Sequence, residues 1–180
     1  ACVFAVNGSD QSVTETREGP YARTLAVSQA LSLAGEARTA ESFGLIQRGS
    51  GAAQEETFDE RITAAQAQYD RPTVRGAASE SDLTAWVGGH DLVRELDDSG
   101  DWDGAVALAT STEPGDPTAL YATFVETATA EVEQSSAQAR DGFRSAGTGV
   151  VVAGWALVAA GLACAVLSWR GINKRLEEYR

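Results

Sequence analysis

Apolar side chains recur at helical spacing among polar ones over most of the first 146 residues of the chain. In residues 53–69 the apolar side chains form a seam of Phe58, Ile62, Ala65 and Tyr69. A second seam consists of Leu83, Trp86, His90 and Val93. A third, after Pro117, contains Tyr121, Val125, Ala128, Val132, Ser135, Ala139 and Phe143. Spacings of three and four residues place these side chains on one face of an α-helix.

Helix breakers between the seams set the ends of the predicted helices. Pro20 suits the first turn of an alanine-rich helix that continues to about Arg48 and stops at a Gly-Ser-Gly sequence. Pro72 marks a linker, because proline cannot continue a helix at its own position and disfavours one just before it. A short helix is predicted for residues 102–109, and Asp116 followed by Pro117 is typical of a helix start.

The patterns predict an all-α fold. No segment alternates convincingly with period two, so we expect little β-sheet. Four helical segments with narrow apolar seams favour an up-down-up-down four-helix bundle over residues 20–146. Its predicted core residues are Phe58, Ile62, Tyr69, Leu83, Trp86, His90, Val93, Tyr121, Val125 and Val132.

The last helix continues into an uncharged segment, Gly149 to Trp169, which is rich in Ala, Val, Leu and Gly. At about 1.5 Å per residue this segment is long enough to cross the hydrocarbon core of a bilayer. The alternative, a buried helix of a soluble protein, is usually shorter. We therefore predict a transmembrane helix in residues 147–169, continuous with the bundle.

Charge predicts the orientation of this helix. The 11 residues of the tail, 170–180, contain the basic residues Arg170, Lys174, Arg175 and Arg180. Positively charged flanks stay in the cytoplasm. Residues 1–146 carry 24 Asp and Glu against 10 Arg, a net charge of −14. We expect this acidic bundle outside the cytoplasm, anchored in the cell membrane, and we expect no binding to nucleic acid.

The first residues, 1–19, begin with the apolar sequence Ala-Cys-Val-Phe-Ala-Val. Three interpretations remain open: the outer end of a preceding transmembrane helix, the remnant of a signal peptide, or a lipobox with Cys2 as the acylated residue. The second cysteine, Cys164, lies within the predicted span, so the two cannot form a disulfide. Membrane anchoring is compatible with all three interpretations.

Candidate catalytic chemistry is sparse. His90 is the only histidine, and a core histidine bonded to a neighbour competes with a pH-sensitive or ligand-contacting role. The aspartates at 97, 98, 101 and 103 resemble a calcium loop, but Trp102 and Leu108 occupy the positions that need Gly and Glu. No phosphate-binding loop or Ser-His-Asp set is present. We therefore expect a protein that is not an enzyme and has no cofactor or metal.

Within the predicted span, small residues recur every seven positions: Gly147, Gly154, Gly161 and Ser168. Small residues let another helix approach closely, and the period suits left-handed packing. Their frequency in this composition is an equally good explanation. If the seam packs, its partner is a preceding helix or a second copy of the protein in a homodimer.

The chain resembles the extracytoplasmic bundles of two-span bacterial signalling proteins, and more narrowly the actinobacterial GlnX family. The resemblance lies in the alanine-rich first helix, the sequence Gly-Asp-Trp-Asp-Gly-Ala-Val-Ala-Leu-Ala-Thr at 100–110, the helix after Asp116, and the short tail at 170–180. It implies partners: an extracytoplasmic glutamine/aspartate-binding lipoprotein and a cytoplasmic Ser/Thr kinase, protein kinase G. The expected function is a sensor or adaptor that relays amino-acid availability. A structural scaffold or stalk of the envelope is the alternative.

Overall fold

The computed structural model describes residues 13–48 and 50–178 of the 180-residue chain. Side chains are described up to Ser145, and beyond it at Trp155, Val158 and Ala159. Within these residues the fold is all-α, with five α-helices and no strand. The helices are α1 Ala22–Ile46, α2 Ala52–Tyr69, α3 Ala78–Asp98, α4 Trp102–Thr110 and α5 Pro117–Glu178. The all-α prediction is confirmed.

Most helix ends follow the breakers in the sequence, but the start of the first helix does not. The backbone is already α-helical at residues 13–16 and passes through a π-helical turn, Arg17–Tyr21, before α1 begins. The predicted start at Pro20 is therefore wrong, because the π-helical turn accommodates the proline inside the helix. Helix α1 ends two residues before Arg48, which adopts the left-handed backbone conformation with φ of 43°. Helix α4 is capped by the Asp101 carboxylate, which accepts a hydrogen bond from the backbone N–H of Gly104. Helix α5 begins at Pro117, as predicted.

The chain divides into two compact units. The first is Glu18–Gln138, called here the helical unit, and the second combines the chain before Glu18 with the chain after Gln138. In the second unit, Gly142 of α5 faces Thr16, and a Cβ atom at Gly142 would collide with the threonine side chain. Only glycine therefore permits this close approach.

The core of the helical unit is a row of small residues meeting large ones. From α1 this core contains Ala26, Val27, Ala30, Ala34, Ala37 and Ala40. The side chains of Phe58, Ile62 and Tyr69 on α2, Leu83 and Trp86 on α3, and Phe124 on α5 fill the space opposite. Alanines at helical spacing bring α1 close to its neighbours, and the aromatic rings supply the buried apolar area that stabilises the packing.

The close approach of α1 and α2 depends on two glycines. A Cβ atom added at Gly51 would lie 3.0 Å from the Cα and carbonyl oxygen of Gly44. Backbone cannot give way as a flexible side chain can, so a larger residue at Gly51 would push the start of α2 away from the end of α1. These glycines thereby fix the position of Glu55, one turn into α2.

No helix qualifies as a membrane span on length and apolarity within the described part of the chain. The predicted span, Gly149 to Trp169, belongs to α5 by backbone conformation. Nearly all of its side chains lie outside the described residues. The first apolar residues, 1–6, and Cys2 among them, also lie outside.

Candidate functional site

His90 lies where three helices of the helical unit meet. It follows Trp86 by one turn on the buried face of α3, and its residue is only 1% exposed. Glu41 reaches it from α1 and Glu55 from α2. The ring of Phe58 on α2 stacks on the imidazole, with the ring centroids 3.6 Å apart and the planes inclined by 15°. We call Glu41, His90 and Glu55 the histidine triad.

Both ring nitrogens of His90 face carboxylates. Its Nδ1 lies 3.0 Å from one oxygen of Glu41, and its Nε2 lies 3.1 Å from one oxygen of Glu55. A neutral imidazole has a single N–H, so one of these contacts would set two lone pairs against each other. The doubly protonated imidazolium satisfies both contacts, because it donates one N–H to each carboxylate.

The electrostatics agree with this assignment. Burial by itself would lower the pKa of His90, but the hydrogen bonds and charges of Glu41 and Glu55 outweigh burial and raise that pKa to about 9. Burial would raise the pKa of Glu55, yet the hydrogen bond and charge from His90, with the charge of Arg94, lower it overall. A pKa raised in this way favours the charged form of His90 at neutral pH.

An arginine stands at each end of the histidine triad. Arg38 donates to the second oxygen of Glu41. Arg94 contacts the second oxygen of Glu55 at 3.1 Å and also donates to Asp97 and Asp98, each at 2.7 Å. From Arg38 to Asp97, cations and carboxylates alternate along one series of contacts, called here the ionic chain. Each buried charge therefore has a partner of opposite sign, which offsets the free-energy cost of burying it.

Arg38 also binds the junction between α4 and α5. One of its terminal nitrogens donates to the Ala109 carbonyl at 3.1 Å and to the Thr118 hydroxyl at 2.7 Å. The Thr118 hydroxyl in turn donates to the same carbonyl at 2.7 Å. Ala109 is in the last turn of α4, where carbonyls lack helical partners and a cation is favourable. The ionic chain therefore ends at the first turn of α5.

Two surface depressions adjoin the ionic chain. An open groove of about 840 Å³ runs along α2, with four carboxylates and Arg94 in its lining. A narrower cleft of about 280 Å³ lies between α1 and α4, with Arg38 and Glu41 among its lining residues. We call it the α1–α4 cleft. Glu55 lines the groove and Glu41 lines the cleft, so the triad connects the two depressions.

A second buried polar cluster lies at the start of α3. The Tyr69 hydroxyl donates to Ser79, 3.0 Å away, and the Ser79 hydroxyl donates to Glu131 of α5 at 2.8 Å. The other Glu131 oxygen accepts the backbone N–H of Ala78 at 2.9 Å. We call Tyr69, Ser79 and Glu131 the serine cluster. It supplies an N-terminal cap for α3 from a distant part of the chain.

The residues predicted for the core differ in how deeply they are buried. Seven are buried: Phe58, Ile62, Tyr69, Leu83, Trp86, His90 and Val93. Tyr121, Val125 and Val132 are partly buried and pack against that core. Sequence reasoning placed His90 on the apolar seam but missed its partners. A signal existed for Glu41, because it shares the helical face of Ala37, Ala40 and Gly44, where a carboxylate needs a partner.

The other predicted functional positions fall outside the side chains that the structure describes. These are the small residues Gly147, Gly154, Gly161 and Ser168 and the basic tail Arg170, Lys174, Arg175 and Arg180. The aspartates considered for calcium have other contacts: Asp97 and Asp98 pair with Arg94, and Asp101 caps α4. In the described residues no three His, Cys, Asp or Glu side chains form a group that could hold a metal ion.

The chain gave no match to any protein family, to any curated protein or to any solved structure. The function must therefore be argued from the site itself.

Proposed function

We propose that this protein is a membrane-anchored sensor or adaptor without enzymatic activity. In this proposal the helical unit is an up-down-up-down four-helix bundle outside the cytoplasm, and residues 149–169 cross the cell membrane. The basic tail then binds a cytoplasmic partner. The observation that carries the proposal is α5, a single helix from Pro117 to Glu178 that includes both bundle residues and the whole apolar segment.

The contacts at the start of α5 support a signalling role. Arg38 holds Thr118 in the first turn of α5. Glu41 connects Arg38 to His90 on α3, and His90 contacts Glu55 on α2. A change at any member of this ionic chain would alter the contacts that fix α5. Small shifts of a helix are a common means of transmitting a signal, because packed interfaces tend to have discrete arrangements.

The sequence supports the membrane part of the proposal. The segment from Gly149 to Trp169 has no charged residue, and four of the final 11 residues are basic. The resemblance to the GlnX family suggests that the partner is a Ser/Thr kinase and that a solute-binding lipoprotein supplies the external signal.

Crosslinking in native membranes tests the proposal directly. The full-length protein would carry a photoreactive residue at one tail position, and crosslinked proteins would be identified by mass spectrometry with and without added amino acids. We expect a cytoplasmic kinase whose yield changes with the amino-acid supply. Recovery of envelope proteins alone, at unchanged yield, would favour the structural scaffold instead.

A break in α5 tests whether this helix carries the signal. Ala137 is exposed, so Ala137→Pro interrupts the helix without removing a core side chain. Proline in a helix interior costs about 3 kcal/mol locally, and we expect the kinase to crosslink at a yield independent of amino acids. Ala137→Ser should behave as the original protein. An unaltered response in Ala137→Pro would show that α5 does not carry the signal.

A further inference from the structure

The α1–α4 cleft combines apolar walls with a charged floor. Leu45, Ile46, Trp102 and Val106 supply most of the wall, and Arg38 and Glu41 are the charged residues in its lining. Its volume of about 280 Å³ is near the lower end of the range typical of small-molecule sites. Such a cleft suits a small molecule with an apolar body and one polar group.

The floor presents a cation to the cleft. Glu41 is the more buried partner, with a side chain 2% exposed, and its two oxygens already bind His90 and Arg38. The Arg38 side chain is 22% exposed. A guanidinium has five N–H donors, and among the described residues we find three acceptors for it, on Glu41, Ala109 and Thr118. Arg38 can therefore bind an incoming acceptor.

The wall is held in place by contacts of its own. The Trp102 indole donates to the carbonyl of Leu45 at 2.7 Å, and the guanidinium of Arg48 lies 3.7 Å from the centroid of the same ring. These contacts fix α4 against the end of α1, so the cleft is formed before any ligand enters. A preformed site loses less free energy in ordering on binding.

We propose that the α1–α4 cleft binds a small monocarboxylate with a short apolar body, with the carboxylate on Arg38. A planar guanidinium is the side chain best matched to a carboxylate. The inference that a monocarboxylate binds depends only on the cleft. The inference that this ligand is the signal received by the bundle rests on the proposed function. A carboxylate on the remaining donors would share the guanidinium that holds Ala109 and Thr118 at the start of α5.

Three probes with one apolar body and different head groups test the proposal. We would titrate 4-methylpentanoate, 4-methylpentanamide and 3-methylbutylamine into the full-length protein in detergent micelles, following the indole N–H signal of Trp102 by NMR. The carboxylate should shift that signal and bind at least tenfold more tightly than the amide, as expected for a charge-assisted hydrogen bond. The amine should not bind. Equal affinities for all three would overturn the proposal.

Filling the cleft locates the binding without touching Arg38. Val106→Phe adds an aromatic ring to the wall, and Leu92→Phe makes a similar addition at an exposed position of α3. We expect the first variant to weaken carboxylate binding at least tenfold and the second to leave it unchanged. An unshifted indole signal of the buried Trp86 verifies that each variant is folded. Full binding by Val106→Phe would place the ligand elsewhere and refute the assignment, whatever the crosslinking experiment shows.

Discussion

Helix α3 carries two buried polar residues, Ser79 and His90, eleven positions apart on the same face. Each one contacts a carboxylate from another helix, but the two sites balance that charge differently. At Ser79 the Glu131 carboxylate faces a hydroxyl, a backbone N–H at the start of α3, and Arg23 at 3.7 Å. At His90 an imidazole whose pKa is raised to about 9 lies between two carboxylates.

The comparison shows two ways of burying a carboxylate. At the serine cluster, partial charges of the helix N-terminus, a hydroxyl and the more exposed Arg23 stabilise Glu131. At the histidine triad the desolvation penalty is greater, and only the opposing charge compensates for it. Loss of one partner should therefore cost more at His90 than at Ser79, and only the triad should give stability a pH dependence near neutrality.

The largest effect is expected for His90→Leu. The substitution leaves Glu41 buried without its imidazolium, and removal of one partner from a buried ion pair typically costs about 3 to 5 kcal/mol. Urea unfolding of the full-length protein in micelles, followed by near-ultraviolet circular dichroism, measures the loss. Asp91→Leu, at the exposed neighbouring position, is the control and should change the free energy of unfolding by less than about 0.5 kcal/mol. A loss below about 1 kcal/mol in His90→Leu would mean that the triad is not an ion pair.

The next effect is the pH dependence of stability. The pKa of His90 is raised from 6.5 to about 9 in the folded protein, so between these values the native state holds a proton that the unfolded state has released. The stabilisation is complete below pH 6.5 and disappears as the pH rises through 9, for a total of roughly 3 kcal/mol. Unfolding at pH 6, 7.5 and 9.5 tests this, since the fall should be absent from His90→Leu. An equal fall in both proteins would assign it to another group.

A smaller loss is expected at the serine cluster. Ser79→Ala removes the acceptor of the Tyr69 hydroxyl and one donor to Glu131, and an unsatisfied buried polar group costs about 1 to 3 kcal/mol. Burial is the main reason why the pKa of Tyr69 is raised to about 12, so this loss should not change from pH 6 to 9.5. Ser81→Ala, at an exposed position of the same helix, is the control. A loss as large as that of His90→Leu would remove the distinction between the two sites.

The smallest effect is expected for Glu55→Gln. The Glu55 side chain is 32% exposed, so solvent screens its ion pairs and the loss of stability should be about 1 kcal/mol. The pKa of His90 should nevertheless fall, because one of the two carboxylates that raise it is gone. His90 is the only histidine, so a single imidazole signal reports its titration by NMR. Glu56→Gln, on the exposed side of α2, should leave that titration unchanged, and an equal shift in both variants would contradict the assignment.

The sequence predicted the helices well, because spacing and breakers are local. Phe58, Ile62 and Tyr69 recur at helical spacing, and Pro117 after Asp116 fixes the start of α5. The site was harder to predict. Its members Glu41, Glu55 and His90 are separated by 14 to 49 residues along the chain, and spacing within one helix says nothing about which helices meet.

The sequence by itself determined the all-α fold, the apolar faces of the helices, and an uncharged segment long enough to cross a membrane. Each of these depends on neighbouring residues and on the helical period. Only the tertiary structure decided that His90 lies between two carboxylates, that Glu131 caps α3, and that Arg38 connects the triad to α5. The reason is physical: the ionisation and bonding of a buried polar group depend on what faces it across the core, and those partners come from distant parts of the chain.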